Sequence, residues 1–280
     1  MINLNNLSYR YPGGQQALFN VTAQITPGLH LLLGANGSGK TTLLHLIAGL
    51  RLAVPATACD IDGMPTANRQ PSLAGEVFLL GDDMKFPYAS IRQMVKYHAP
   101  FYPNFDEELL QKNLRRFGLR DNEHIDRYSL GNRKKAQLAY VLSMRPRVLL
   151  LDEPANGLDI TSRSEFLTML YETMTDEQTV IVSTHTVYDF QNIVDNVIVL
   201  REGHLILSMP VWQITERLAF VSEAVPVADA IFMHQNCGRF NAIIPNDGSM
   251  STDIDFVLFY GALQSTAAEN LLSYLNTENQ

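Results

Sequence analysis

The first thirty residues alternate apolar and polar positions, in INLNNLSYRY and ALFNVTAQIT, around a Pro12-Gly13-Gly14 turn. Alternation of period two sends successive side chains to opposite faces, so this region predicts antiparallel strands at a sheet edge. Residues 29–34 (LHLLLG) break the alternation with a continuous apolar run ending in glycine, the pattern of a strand covered on both faces. The same pattern recurs in RVLLLDEP (147–154) and QTVIVSTH (178–185). Apolar residues at helical spacing fill 40–50 and 161–175 between them. Strands alternating with helices predict an α/β core.

Residues 88–145 depart from that rhythm. Phe105, Leu109, Leu110, Leu114 and Phe117 fall on one helical face, GNRKKAQLAYVLSM is a second amphipathic run, and no strand candidate separates them. This predicts a helical subdomain, at about 88–146, inserted into the α/β core. NVIVLREGHLILSM (196–209) has a β-hairpin pattern with Glu202-Gly203 at the turn. Beyond it the strand signals weaken, and a helix is expected over 267–275. The organisation read here is a main domain of 1–215 followed by a small α/β appendage of 216–280.

Composition narrows the classes. A chain of 280 residues, 46% hydrophobic, can bury a sizeable core. Its net charge of −8 argues against nucleic acid as a partner, because binding a phosphate backbone needs a broad cationic face. The basic run NRKKAQ (132–137) reads as a solvated helix face. Cys59 and Cys237 lie far apart without metal-like spacing, as expected for reduced thiols in a cytoplasmic protein. The N-terminus lacks the pattern of a signal peptide, and no run approaches the ~18 apolar residues that span a bilayer. Work at a membrane would need spans from another chain.

Candidate chemistry begins with GANGSGKT, which matches G-x-x-x-x-G-K-[ST] over 34–41, after a strand candidate and before a helix candidate. Gly34, Gly37 and Gly39, with Asn36 and Ser38 between them, let backbone N–H groups converge on phosphate oxygens at a helix N-terminus. Lys40 reaches the β- and γ-phosphates, Thr41 ligates Mg²⁺ through its hydroxyl, and Thr42 closes the cradle. In VLLLDEP, Asp152 ends a buried strand, where an ionised carboxylate holds Mg²⁺ through its water shell. Glu153 follows as the general base that deprotonates an attacking water. Loop and acidic strand together indicate a nucleoside triphosphatase, leaving transporters, helicases and motors open.

Over about residues 1–210 the chain resembles the ATP-binding subunits of ABC transporters. YSLGNRKKAQLA (128–139) resembles their LSGGQ signature: Ser129 and Gly131 match the serine and second glycine, Leu130 replaces the first glycine, and Asn132 the glutamine. NGLD, ending at Asp159, resembles the family's D-loop, and Thr184-His185 its switch histidine. Tyr11 matches the aromatic residue that stacks on adenine, with Tyr9 as competitor. The loop that usually carries a glutamine falls near Gly81, and Asp82 or Asp83 is expected to take over its metal- or water-facing role. KFPYASIRQM, FYPNFDEELL and SLGNRKK together resemble an exporter-type bacterial branch whose membrane subunit is a separate chain. STDIDFVLFYGAL (251–263) resembles a short acidic-hydrophobic motif of that branch, or is simply a buried strand or helix.

The resemblance implies an ABC ATPase fold, a P-loop NTPase core with an antiparallel β edge and an inserted helical subdomain. It implies ATP and Mg²⁺ as cofactors and a head-to-tail pairing, either as a homodimer or with a paralogous ATPase. One chain then supplies Tyr11, the phosphate loop, Asp152, Glu153 and His185, and the other supplies Ser129 and Gly131. The expected partner is a separate transmembrane permease, the expected place is peripheral on the inner face of the cell membrane, and the expected direction is export. The alternatives are a soluble ABC ATPase, such as one of cluster assembly, and a nucleotide-gated regulatory module.

Overall fold

The computed structural model describes residues 1–82, 84–190 and 193–276. The chain opens with β1 (Ile2–Arg10) and β2 (Gln16–Ile25), an antiparallel pair in which Ile2 faces Ile25 and Leu4 faces Ala23. Next come β3 (Gly28–Leu33) and α1 (Lys40–Ile47). The short strands β4 (Cys59–Ile61) and β5 (Met64–Pro65) extend the first pair into a four-stranded sheet of order β2-β1-β4-β5. After the one-turn helix α2 (Pro71–Ala74), β6 (Val77–Leu80) returns to the sheet that holds β3.

Three helices then intervene: α3 (Ile91–Tyr97), α4 (Glu107–Arg116) and α5 (Leu130–Met144). Side chains start each of them, because Ser90, Asp106 and Ser129 accept the backbone N–H three residues on and satisfy a donor the helix leaves orphaned. The core resumes with β7 (Val148–Asp152), α6 (Ile160–Thr173), β8 (Thr179–Ser183) and the hairpin β9 (Asn196–Arg201) and β10 (His204–Pro210). The central sheet has the order β10-β9-β3-β8-β7-β6. Only the β10–β9 pairing is antiparallel; the others are parallel.

Every residue of β7 and β8 is buried, and the alternation sorts their side chains between two cores. Leu32, Leu150, Ile181 and Ile198 point to the side holding α1 and the first sheet, where they meet Leu43, Leu44, Leu18 and Val21. Leu31, Leu149, Leu151, Val180 and Val182 point to the other side, covered by α5 and α6 through Leu138, Val141, Phe166 and Met169. A parallel sheet covered on both faces needs apolar residues throughout, so these strands read as unbroken hydrophobic runs.

The chain ends with α7 (Val211–Arg217), β11 (Leu218–Glu223), β12 (Phe232–Asn236), β13 (Arg239–Pro245), α8 (Phe256–Leu263) and α9 (Ala268–Asn276). The three strands form a separate antiparallel sheet of order β11-β13-β12. Ile243, Phe256, Phe259 and Leu271 belong to the same hydrophobic cluster as Phe190 and Val199, so this segment shares a core with the central sheet. Residues 251–263, open to either strand or helix from sequence, include helix α8, started by Asp255 accepting from the Leu258 N–H at 2.9 Å.

Candidate active site

Parallel pairing brings the C-terminal ends of β3, β7 and β8 to one edge of the sheet, where open α/β sheets bind ligands. The loop from β3 to α1 begins this site. Gly39 has a φ of 104°, and a Cβ added to it would lie 2.7 Å from Leu18 Cδ2 and 2.8 Å from the Ala17 carbonyl oxygen. Both the backbone conformation and this approach to β2 therefore demand glycine. Ser38 is buried, and its hydroxyl oxygen has no hydrogen-bond partner among the described residues. Lys40 is also buried and donates to the carbonyls of Gly34 at 2.6 Å and Ala35 at 3.2 Å. Burial pulls its pKa down, while the carboxylates of Glu153 and Asp152 push it back up.

Asp152 sits between two hydroxyls. Thr41 Oγ1 donates to its Oδ2 at 2.7 Å, and Ser183 Oγ donates to its Oδ1. The second contact follows from register, since Asp152 of β7 lies directly beside Ser183 of β8. Glu153 turns the chain with a φ of 47°, a left-handed conformation costly for a residue with a side chain. Its N–H bonds the Ser183 carbonyl at 3.0 Å, and its Oε2 accepts from His185 Nδ1 at 2.9 Å.

A cavity of about 460 Å³ opens over this edge, and Tyr11, Asn36, Gly37, Gly39, Lys40, Thr41, Thr42, Asp152 and Glu153 all line it. Nine predicted site residues thus converge, and Asp82, one of the two aspartates expected to face metal or water, lines the same cavity. Tyr9 does not line the cavity. Tyr11 is fixed from two sides: its hydroxyl is 2.7 Å from Thr42 Oγ1, and the Arg51 guanidinium lies 4.6 Å from its ring centroid. His185 reaches the site through Glu153.

Ser129, Gly131 and Asp159 do not line this cavity. Ser129 caps α5 by accepting the Asn132 N–H at 3.2 Å, and a Cβ on Gly131 would lie 3.3 Å from the Gly157 carbonyl oxygen. Asp159 caps α6 by accepting the Ser162 N–H and hydroxyl, each at 2.8 Å, and takes a third bond from Lys135 Nζ at 3.2 Å. Those three donors, the backbone one first, hold its carboxyl down at about 2. Beside these two caps, Leu130 and Ile160 are 82% and 87% exposed. The first glutamine after Gly81, Gln93, lies within α3 and accepts from the Ala89 N–H at 3.0 Å, so it does not stand in for the loop glutamine. Asp83 lies outside the described residues.

Two residues that hold the site, Ser183 and Arg51, were not singled out from sequence. Ser183 carries a usable signal, a polar residue closing an apolar strand just before Thr184-His185. Arg51 carries none, because what it touches depends on the packing of distant segments. The run 132–137, expected as a solvated helix face, is not one throughout: Lys134 and Gln137 are each only 6% exposed, since this side of α5 packs against the loop after β6.

The sheet, the loop and the acidic strand end define a P-loop nucleoside triphosphatase. The family model described as ABC transporter matches residues 18–156. The energy-coupling factor transporter ATP-binding protein EcfA2 of Streptococcus pyogenes serotype M5 (strain Manfredo) is 31% identical over 226 residues, spanning 74% of this chain and 80% of its own. Among solved structures, CbiO1 of Clostridium perfringens, part of the ABC transporter complex CbiONQ, is 27% identical, with a TM-score of 0.59 over 75% of this chain and 88% of its own. The bacterial ABC transporter cassette MJ0796, solved as a dimer, shares the fold, with a TM-score of 0.63 at 21% identity over 75% of this chain and 98% of its own. The chain belongs to the family of ABC transporter ATP-binding proteins. It is an ATPase, and it has the ABC ATPase fold.

Proposed function

We propose that this chain binds ATP with Mg²⁺ in the 460 Å³ cavity and hydrolyses it to drive a separate transmembrane permease. The observation that carries the reading is the convergence of Lys40, the Thr41–Asp152 pair and the Glu153–His185 pair on one sheet edge. The chemistry of the donor set fits the cation: an aliphatic hydroxyl 2.7 Å from an acidic carboxylate is an all-oxygen pair suited to a hard metal. Thr41 and Asp152 would hold Mg²⁺, which neutralises phosphate charge when bound.

The loop N–H groups and Lys40 orient the phosphates, and Tyr11 offers a fixed ring for adenine. Glu153 aligns water with the γ-phosphorus and takes its proton as the bond to the β–γ bridging oxygen breaks, giving ADP and phosphate. His185 holds the carboxylate through Nδ1. With Nδ1 donating, Nε2 can donate to a γ-phosphate oxygen only in the imidazolium form.

Ser129, Gly131 and Asp159 lie off this cavity, next to exposed Leu130 and Ile160, as expected of a surface that completes the site of a second chain. In this reading two copies, or this chain and a paralogue, close head to tail over ATP. Residues 1–215 act as the ATPase domain, with its helical subdomain at about 88–146, and 216–280 as an appendage on its core. Among the described residues no helix is long and apolar enough to cross a membrane. In this reading the permease is a separate chain and this one sits peripherally on the inner membrane face. The exporter branch finds no support in the EcfA2 and CbiO1 relatives. The Glu153→Gln variant tests the site: it should bind ATP, lose about 10²–10⁴-fold in turnover and accumulate as the closed pair. Turnover within threefold of the parent chain overturns the assignment of Glu153.

A further inference from the structure

Lys134 is a buried lysine that the mechanism above does not use. It sits on α5, one turn past the Ser129 cap, and is only 6% exposed. Its ammonium nitrogen has no hydrogen-bond partner among the described residues; the nearest counter-charge is Asp82 Oδ1 at 3.6 Å. An ammonium held out of water without hydrogen bonds is costly, so the surroundings must repay it. Burial draws its pKa down, and the carboxylates of Asp82, Asp152 and Glu153 draw it back up. The charge therefore acts on the acidic end of the nucleotide cavity.

Asp82 is the second half of the arrangement. It lines that cavity, and its Oδ2 accepts from Asn156 Nδ2 at 3.4 Å, while Oδ1 faces Lys134. One helical turn beyond Lys134, Gln137 Nε2 donates to the Met84 carbonyl at 2.5 Å and fastens the same loop to α5. The carboxylate thus joins three segments: the loop after β6, the signature helix α5 and the NGLD turn. It also brings a third negative charge to a cavity that already holds Asp152 and Glu153 and has to admit a polyanion.

We propose that Lys134 is a positioning residue for ATP hydrolysis, holding Asp82 at the cavity rim and cancelling its charge so that this acidic wall accepts a nucleoside triphosphate. The inference rests on the nucleotide-site reading above. It makes Asp82 and Lys134 a matched pair: removing either charge alone impairs the site, and removing both restores a neutral wall.

The test is a double-mutant cycle on the full chain, with Mg²⁺-ATP as the probe and kcat and KM measured separately. Lys134→Met leaves Asp82 uncompensated, and kcat/KM is expected to fall at least about tenfold, with KM rising. Asp82→Asn leaves the buried ammonium to pull on Asp152 and Glu153, and kcat is expected to fall by a similar factor. The double variant is expected to return to within about threefold of the parent chain in both kcat and KM. Each variant is assayed at a temperature where thermal unfolding shows it folded, because a purely structural pair would recover melting temperature in the double variant without any single variant having changed KM. A Lys134→Met rate within threefold of the parent, or a double variant no faster than the slower single one, overturns the proposal. If Lys134→Met does not accumulate folded, the double variant is compared with Asp82→Asn alone: faster hydrolysis supports the pair, and an equal or slower rate overturns it. Glu153→Gln runs alongside. If it keeps full turnover the site reading fails, whereas its loss of turnover with unaffected Lys134 variants sinks only this inference.

Discussion

Replacing Ser183 with alanine tests whether the end of β8 shapes the acidic strand end. The hydroxyl is fully buried and donates to Oδ1 of Asp152, itself 7% exposed. Removing it leaves one carboxylate oxygen without its donor, with Thr41 still bonded to the other. A hydrogen bond to a charged group contributes about 1.5–3 kcal/mol, and the void left by one oxygen adds little. For a chain of this size each kcal/mol moves the melting temperature by about 2–4 °C, so Ser183→Ala should melt roughly 3–12 °C lower. The freed carboxylate is expected to swing toward Thr41 and lose its alignment for Mg²⁺. Half-maximal turnover should then need about tenfold more Mg²⁺, the equivalent of 1.4 kcal/mol. Thermal unfolding and an Mg²⁺ titration of ATP hydrolysis give the two readings. A melting temperature within about 1 °C and an unchanged Mg²⁺ midpoint would show that the register contact does not set the carboxylate.

Two further outcomes follow from buried groups away from the site. His30 is buried with Nε2 2.7 Å from the Thr26 carbonyl oxygen, and burial lowers its pKa against the smaller opposing effects of that carbonyl and Asp195. Below a pH of about 6.5 the unfolded chain binds the proton that the folded one resists. The stability due to this residue is therefore present above that pH and lost as pH falls; urea unfolding should show a weaker dependence between pH 7.5 and 5.5 in His30→Asn. Cys59 is buried, with its thiol pushed up to about 11, whereas Cys237 is exposed. An aromatic disulfide reagent at pH 8 should titrate one thiol per native chain and two in denaturant; a second fast-reacting thiol in the native chain would contradict the packing of β4.

The central sheet was legible because β3, β7 and β8 are covered on both faces and so lack polar interruptions. The hairpin at Glu202-Gly203 was legible because its turn chemistry is local. The last sheet was not: β12, FMHQN, is almost wholly exposed and has no apolar alternation to read. Residues 251–263 stayed ambiguous because α8 is apolar around most of its circumference, and the capping by Asp255 becomes visible only in its backbone geometry. The same division runs through the site. Lys40, Asp152 and Glu153 belong to contiguous motifs whose chemistry can be read from spacing. Ser183 matters through strand register, Lys134 through burial against a loop fifty residues earlier, and Arg51 through a ring from β1's end. Such meanings arise only when distant segments pack.

The head-to-tail closing of two chains over ATP is tested most directly by light scattering of Glu153→Gln on a sizing column, with and without ATP. A monomer is expected without nucleotide and a dimer with it, the dimer lost when Ser129 is also replaced by a bulky residue. A chain that binds ATP yet stays monomeric would contradict pairing of identical copies through Ser129 and Gly131.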